Sequence, residues 1–187
     1  MLFRSTVPMA MRHDALTAAS EMTLAIERIG RSHESVVATV GRFQAYPGAV
    51  NVIPGEVRFS LDTRAPDDSV REKITAAIEA ECKAIAARRY VSLHIEPLSS
   101  ARATPMAAHM ITGLSDAICR RQITPRLLPS GAGHDAMAMA DLCPAGMMFV
   151  RCKGGISHSP LESMTENDCD TAIEVLLDFV RHFDPKQ

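Results

Sequence analysis

From Val57 to Arg64 the chain reads VRFSLDTR, an unbroken alternation. Val57, Phe59, Leu61 and Thr63 fall on one face of an extended segment, and Arg58, Ser60, Asp62 and Arg64 on the other. A strand patterned this way buries one side only, so helices must cover that side and other strands must lie beside it. The surrounding residues fit this demand. Arg12 to Ile29 predicts a helix, with Leu16, Ala19, Thr23 and Ile26 at helical spacing. Ser35 to Ala45, rich in valine and ending at Pro47-Gly48, predicts a strand, and Val50 to Arg64 a second one punctuated at Pro54-Gly55. Asp67-Asp68 opens another helix, with Val70, Ile74, Ala77, Ile78, Cys82 and Ile85 as its apolar stripe. Tyr90 to Ile95 alternates again and predicts a third strand. The order helix, strand, strand, helix, strand is that of a β-α-β-β-α-β ferredoxin-like domain without its first strand.

Pro97 to Thr104, PLSSARAT, is a polar connector and a plausible boundary. Beyond it, Thr104-Pro105 predicts the cap of a helix bearing Ala107, Met110, Ile111, Leu114 and Ile118. Short strands are expected at Arg126 to Leu128 and Met147 to Val150. Thr165 with Asp168 resembles a capping box ahead of a last helix that carries Ile173, Leu176, Leu177, Val180 and Phe183. This half has few elements and a loop-rich middle, as expected of a piece of a larger α/β layer with open strand edges.

A net charge of -2 gives no reason to expect nucleic acid or an acidic membrane surface as partner. The apolar runs are too short to span a bilayer, and the N-terminal residues lack a signal-peptide core, so a cytoplasmic chain is expected. Five widely spaced cysteines without a C-x-x-C pair are expected to be buried reduced thiols. The 11 methionines suggest a core filled by flexible side chains.

Three stretches offer chemistry. In GGISHSP, His158 sits in a glycine-led loop after an apolar run, where it is either a metal ligand or a loop histidine bonded to backbone. In SGAGHDA, Ser130 to Ala136, two glycines expose backbone N–H groups that can hold an oxyanion or a carboxylate, with His134 and Asp135 beside them. The alternative is a tight turn with a polar plug. In NVIPGEVRFSLDTR, Asp62 and Arg64 share a strand face. They either pair with each other or leave Arg64 to fork onto a substrate carboxylate, and Asn51 offers donors and an acceptor nearby. His13, His33, His94, His109 and His182 form no ligand pattern.

TVPMAMRHDAL, GRFQAYPGAVNVIPGEVRFSLDTRAPDD, SGAGHDAM and GGISHSPLES occur in this order along nearly the whole chain. Together they resemble the M20-type metal-dependent amidohydrolases: allantoate amidohydrolase, N-carbamoyl-L-amino-acid hydrolase and β-alanine synthase. The resemblance implies an α/β enzyme (α+β in its lid). Residues 1–98 would be a ferredoxin-like lid that also makes a homodimer, and 99–187 the C-terminal portion of an α/β catalytic domain. It implies two divalent metals per site, zinc or manganese, and a small carboxylate-bearing substrate.

His158 matches the family's final metal ligand. Asn51 and Arg64 match lid residues that hold the substrate carboxylate, and Ser130, Gly131, Gly133 and His134 match a loop lining the substrate pocket. The family's other metal ligands and its catalytic glutamate lie upstream of the lid, and its lid histidine, in a His-Ala-Gly-Thr run, has no counterpart in FRSTVPM. The chain is therefore expected to be a C-terminal fragment that is inactive alone. The alternatives are a non-catalytic dimerising lid remnant or one half of a split enzyme. An unrelated ferredoxin-like binding module fits less well, because SGAGHDA and GGISHSP lie outside the lid.

Overall fold

The computed structural model describes residues 6–184, which form two compact units, one ending at Ala103 and the other beginning at Thr104. The first is a mixed arrangement of helices and strands, and the second joins helices by loops, without strands among the described residues.

The first unit contains helix α1 (Ala15–Arg31), strands β1 (Val37–Thr39), β2 (Phe43–Tyr46), β3 (Glu56–Phe59) and β4 (Asp62–Arg64), and helix α2 (Asp68–Arg88). Both helices start where an aspartate can accept from backbone N–H groups their first turns leave unpaired. Asp14 accepts from Leu16 and Thr17, and Asp67 from Val70. The strands form one long antiparallel hairpin. β1 pairs with β4 (Ala38 opposite Thr63) and β2 with β3 (Ala45 opposite Val57).

Between the two ladders, Val40, Gly41 and Arg42 face only Ser60 and Leu61. That extra residue makes a β-bulge, closed by the Ser60 N–H donating to the Arg42 carbonyl (3.1 Å) and the Arg42 N–H donating to Ser60 Oγ (3.0 Å). The bulge shifts the buried parity of the first strand. Val36, Ala38 and Val40 face inward before it and Ala45 after it, while Val57, Phe59, Leu61 and Thr63 stay inward throughout the partner strand.

α1 and α2 lie side by side against this inner face. Met22, Ala25 and Ile26 of α1 meet Ile74, Ile78, Cys82 and Ile85 of α2, with Val36, Ala38, Phe59 and Leu61 beneath. Gly30 lets α1 come close, since a Cβ there would stand 3.1 Å from Ala38 Cβ. At the edge of this layer Glu21 accepts from both Arg88 and Arg89, and these bonds lower its pKa.

The predicted strand Tyr90 to Ile95 is not one. Val91 and Leu93 do pack on the core, as the alternation demands, but among the described residues the segment pairs with no strand, and the Tyr90 and Val91 N–H groups donate back to the Ala87 and Ala86 carbonyls at the end of α2. Asn51 likewise falls in a turn, not in a strand.

The second unit contains α3 (Ala108–Arg120), a one-and-a-half-turn helix α4 (Asp135–Ala140) and α5 (Glu166–His182). The predicted strands at 126–128 and 147–150 are not strands among the described residues: neither pairs with another segment. α3 begins three residues after Thr104-Pro105, with Ala107 at its cap and no side-chain bond. The Ala107 N–H instead donates to the Ala145 carbonyl at 2.8 Å. Thr165 does cap α5: its Oγ accepts from the Asp168 N–H (3.1 Å) and its hydroxyl donates to the Asp168 carboxylate (2.7 Å).

α3 packs on α5. Leu114 and Ala117 are buried on one side and Val175 on the other, and the Phe179 ring lies over Gly113, where a Cβ would stand 2.8 Å from it. Arg120 donates to Asp178 (2.5 Å) and Arg121 to Glu174 (2.9 Å) across the pair. Ile173, Leu176, Leu177, Val180 and Phe183, expected as the packed stripe of α5, are exposed.

Two further expectations are corrected. Only Cys82 is buried; Cys119 and Cys143 are exposed and Cys152 and Cys169 half-buried, all unpaired. Only Met22 among the methionines belongs to the buried core of the described residues, where isoleucine and alanine predominate.

Ile78 is fully buried between the two helices, so Ile78→Ala should cost about 2–5 kcal/mol, read as a lower urea midpoint at unchanged slope by circular dichroism. The hydrogen bond from Arg120 holds the Asp178 carboxyl below its ordinary value of 3.8. A carboxyl depressed in the folded state stabilises it above that value and loses the contribution as pH falls through the folded pKa. Melting curves of Asp178→Asn should therefore lie below the parent at neutral pH and converge with it as pH drops below about 3.8.

Candidate functional site

Arg64 ends β4 on the outer face of the hairpin, away from the helices. Its guanidinium forks onto Asp62 two residues earlier on that face, with Nη2–Oδ2 at 2.6 Å, Nε–Oδ2 at 3.0 Å and Nε–Oδ1 at 3.2 Å. The pair raises the Arg64 pKa and lowers that of Asp62, the shared hydrogen bonds being the main cause. Both side chains are about half exposed, so water screens the pair and the carboxylate can be exchanged for another at small cost. The sequence left two roles open for this arginine, and the geometry has the internal pair formed.

Asn51 lies at the hairpin tip, in a turn closed by the Val52 N–H donating to the Ala49 carbonyl (3.3 Å). The tip is fixed at its base, where the Gly55 N–H donates to Tyr46 and the Ala15 N–H at the start of α1 donates to Pro54. Asn51 and Arg64 belong to the first unit. The remaining candidates belong to the second.

Ser130 and His134 are brought together: Ser130 Oγ stands 2.6 Å from His134 Nε2. The same hydroxyl accepts from the Ala132 N–H (3.2 Å), which curls the intervening residues around it. The His134 ring also meets Phe149 edge-on, with centroids 6.1 Å apart. Gly131 and Gly133 lie between the pair. Neither has a positive φ, and a Cβ on either would meet nothing within 4 Å. Their own fold therefore does not require glycine there. Asp135 is the first residue of α4, where its charge faces the helix's positive end.

His158 stands in the loop that follows a 3-10 turn at Lys153–Gly155. Gly154 and Gly155 have φ of +66° and +69°, a conformation glycine adopts without penalty. His158 itself has φ +56°, unusual for a residue with a Cβ. What holds it there is Glu162, whose Oε2 accepts the His158 N–H at 2.8 Å. Ser159 closes the turn from below, its carbonyl accepting from the Glu162 N–H (2.9 Å), and the Lys153 N–H donates to the Ser163 carbonyl (2.7 Å) across the loop's base. The side chain of His158 is exposed, with Nδ1 3.3 Å from Ser157 Oγ.

Sequence reasoning passed over Glu162. The only signal for it is a carboxylate four residues beyond the histidine in HSPLE, close enough to reach back across one turn.

Among the described residues no three His, Cys, Asp or Glu side chains converge on a point that could hold a metal ion. A protein metal site takes three or four ligands, and His158 can supply one of them. The residues present here do not by themselves fit a metal. An open depression of about 380 Å³ along α1 and β1 contains none of the candidate residues. No helix among the described residues is long and apolar enough to cross a membrane.

The family model described as peptidase family M20/M25/M40 matches residues 8–182. The N-carbamoyl-L-amino acid amidohydrolase of Geobacillus stearothermophilus is 39% identical over 170 residues, which are 90% of this chain and 41% of that protein. A probable allantoate deiminase of Oryza sativa subsp. japonica is 37% identical over 204 residues, covering 94% of this chain and 42% of the relative. The crystal structure of an amidase of the hydantoinase/carbamoylase family from Burkholderia multivorans superposes with a TM-score of 0.91 at 34% identity, over 96% of this chain and 44% of the other. The chain thus spans about two fifths of the length of the relatives it matches.

If Glu162 holds the His158 turn, Glu162→Ala should speed exchange of the His158 amide hydrogen about fivefold, which the loss of a hydrogen bond worth roughly 1 kcal/mol implies. Amide exchange by NMR reads this directly, and Glu162→Gln, which keeps an acceptor, should fall between the two.

Proposed function

The chain belongs to peptidase family M20/M25/M40, and from that membership we propose that it carries the substrate-gripping part of an amidohydrolase and one ligand of its metal site. The whole enzyme cleaves a linear carbon–nitrogen bond in an N-carbamoyl amino acid or in allantoate. The observation that carries this reading is the alignment, over nine tenths of the chain or more, with one relative named for each of these activities.

The chemistry of the residues supports the assignment. Arg64 is a half-exposed fork already bound to one carboxylate, that of Asp62, so a substrate carboxylate can take that place with the same geometry. Asn51, at the exposed hairpin tip, adds donors and an acceptor to the same unit. In the other unit Ser130 fixes the orientation of His134, and the bare backbone at Gly131 and Gly133 leaves room for a substrate to approach closely. His158 would supply one imidazole to a divalent metal, zinc or manganese; the described residues by themselves offer no group of three ligands to complete such a site. The chemistry supplied at a site so completed would be Lewis-acid polarisation of the scissile group. Residues 1–98 serve as the lid and join two copies in a dimer, and 99–187 belong to the catalytic domain of a cytoplasmic enzyme.

A second reading, a chain that binds or dimerises without catalysis, is favoured by one observation: no group of three potential ligands occurs among the described residues.

The test is a pair of assays against N-carbamoyl-L-amino acids and allantoate, with zinc or manganese added. The 187-residue chain alone should give no turnover. Fused behind the part of the Geobacillus stearothermophilus relative that it does not match, it should hydrolyse one substrate class. His158→Ala in that fusion should abolish activity. Arg64→Ala should raise KM roughly 10- to 100-fold, as expected for losing a charge-assisted pair of hydrogen bonds. Turnover by the chain alone, or a folded fusion inert on both substrates, would overturn the reading.

A further inference from the structure

From Glu56 to Arg64 the outward positions of the hairpin read Glu56, Arg58, Ser60, Asp62 and Arg64. Each arginine follows an acidic residue by two positions, a spacing that puts both on one face of a strand. Both couples are closed. Glu56 Oε1 accepts from Arg58 Nε at 2.5 Å, and Asp62 takes the Nε and Nη2 groups of Arg64 with both its oxygens. The Arg58 guanidinium also lies over the Tyr46 ring, 5.6 Å from its centroid. This face thus presents its two cations already matched with anions.

At Arg64 the match has a consequence for binding. Nε and Nη2 form an edge of the guanidinium whose parallel N–H groups grip a carboxylate as a fork. A carboxylate of the same chain fills that edge. Asp62 sits two residues away and cannot diffuse off, so it competes at every concentration of an outside anion. Its hold is weak enough to be displaced, because both side chains are about half exposed and exposed pairs are worth little. Once displaced, the Asp62 carboxylate is taken up by water.

We infer that Asp62 is a specificity-determining residue, an internal competitor that holds down the affinity of Arg64 for anionic substrates and leaves neutral ones untouched. The inference rests on the assignment of Arg64 to the substrate carboxylate made above, and adds the residue that sets how tightly that carboxylate binds. The opposite arrangement, in which Asp62 steadies the guanidinium while the substrate takes its other edge, predicts the opposite sign. Nη2 is common to both edges and already bonded to Asp62 at 2.6 Å, so a second carboxylate there meets the charge of the first.

The experiment uses the fusion with the Geobacillus stearothermophilus part and the 187-residue chain. In the fusion, Asp62→Asn should lower KM for the anionic substrate about two- to fivefold, the range that exposed pairs span, with the whole gain in KM and none in kcat. The neutral amide of the same substrate should gain nothing. With Arg64→Ala already in place, Asp62→Asn should again change nothing, because the competition is for the guanidinium. Glu56→Gln removes a carboxylate eight residues along the same face, roughly 25 Å away and well beyond a Debye length, and should leave KM as it is. A KM unchanged or raised by Asp62→Asn would overturn the proposal, as would a gain that persists without Arg64. In the chain alone, phenylglyoxal labelling of Arg64, read by mass spectrometry, reports the unpaired guanidinium without any substrate. Asp62→Asn should speed it about two- to fivefold, the same range, and an equal rate would overturn the proposal. A fusion inert on both substrates counts against the amidohydrolase reading, while the labelling rates still decide the role of Asp62, so the two fail separately.

Discussion

The first unit depends on one burial event, the closing of two helical isoleucine and alanine stripes over the inner face of a single hairpin. Ile26, Ile78 and Ile85 are almost wholly removed from water there, and at roughly 1.5–3 kcal/mol for each large aliphatic side chain no other interaction in the unit compares. The ion pairs around it are exposed and weak by comparison. Because the inner face is committed, every residue of opposite parity must point outward, and Arg64 is one of them. The bulge at Val40–Arg42 is part of the same solution. It lets the first strand keep apolar side chains inward on both sides of a bend while the partner strand continues in phase.

The second unit is held differently. Its helices pack as α3 against α5, where a Cβ at Gly113 would stand 2.8 Å from the Phe179 ring and Arg120 clamps Asp178, and Gly146 lies as close to Met110 of α3. The loops bearing Ser130, His134 and His158 do not depend on that interface for their shape. They are shaped by short-range bonds: a serine hydroxyl inside SGAGHDA, and a glutamate carboxylate that holds His158 at positive φ. A site built from such self-contained loops keeps its local geometry while much of the unit's apolar surface stands uncovered.

How far the sequence could be read follows from the range of the forces involved. Helices α1, α2 and α5 were legible because residues at helical spacing lie close together along the chain, joined in α2 and α5 by an aspartate or threonine at the start; the Asp14 cap of α1 emerged only in the structure. The hairpin was legible because its alternation has a period of two. At Tyr90–Ile95 the alternation correctly gave the inward residues, Val91 and Leu93, yet no strand formed, since a strand is defined by a neighbour that alternation cannot supply. The start of α3 was misplaced because Thr104-Pro105 is a good local signal, while Ala107 takes its bond from Ala145, far along the chain. The apolar stripe read on α5 was real, but which of its two apolar sides meets α3 was settled by the Gly113–Phe179 contact, a matter of shape.

The sequence by itself determined the family, the candidate residues and the parity that turns Arg64 outward, because motif order, residue type and strand period are local properties of the chain. Only the tertiary structure decided that Arg64 is already paired with Asp62, that Ser130 meets His134, that Glu162 anchors His158, and that Ile173, Leu176, Leu177 and Val180 of α5 stand exposed among the described residues. Each of these depends on distances of a few ångströms set by how the backbone bends and packs, which no spacing along the chain encodes.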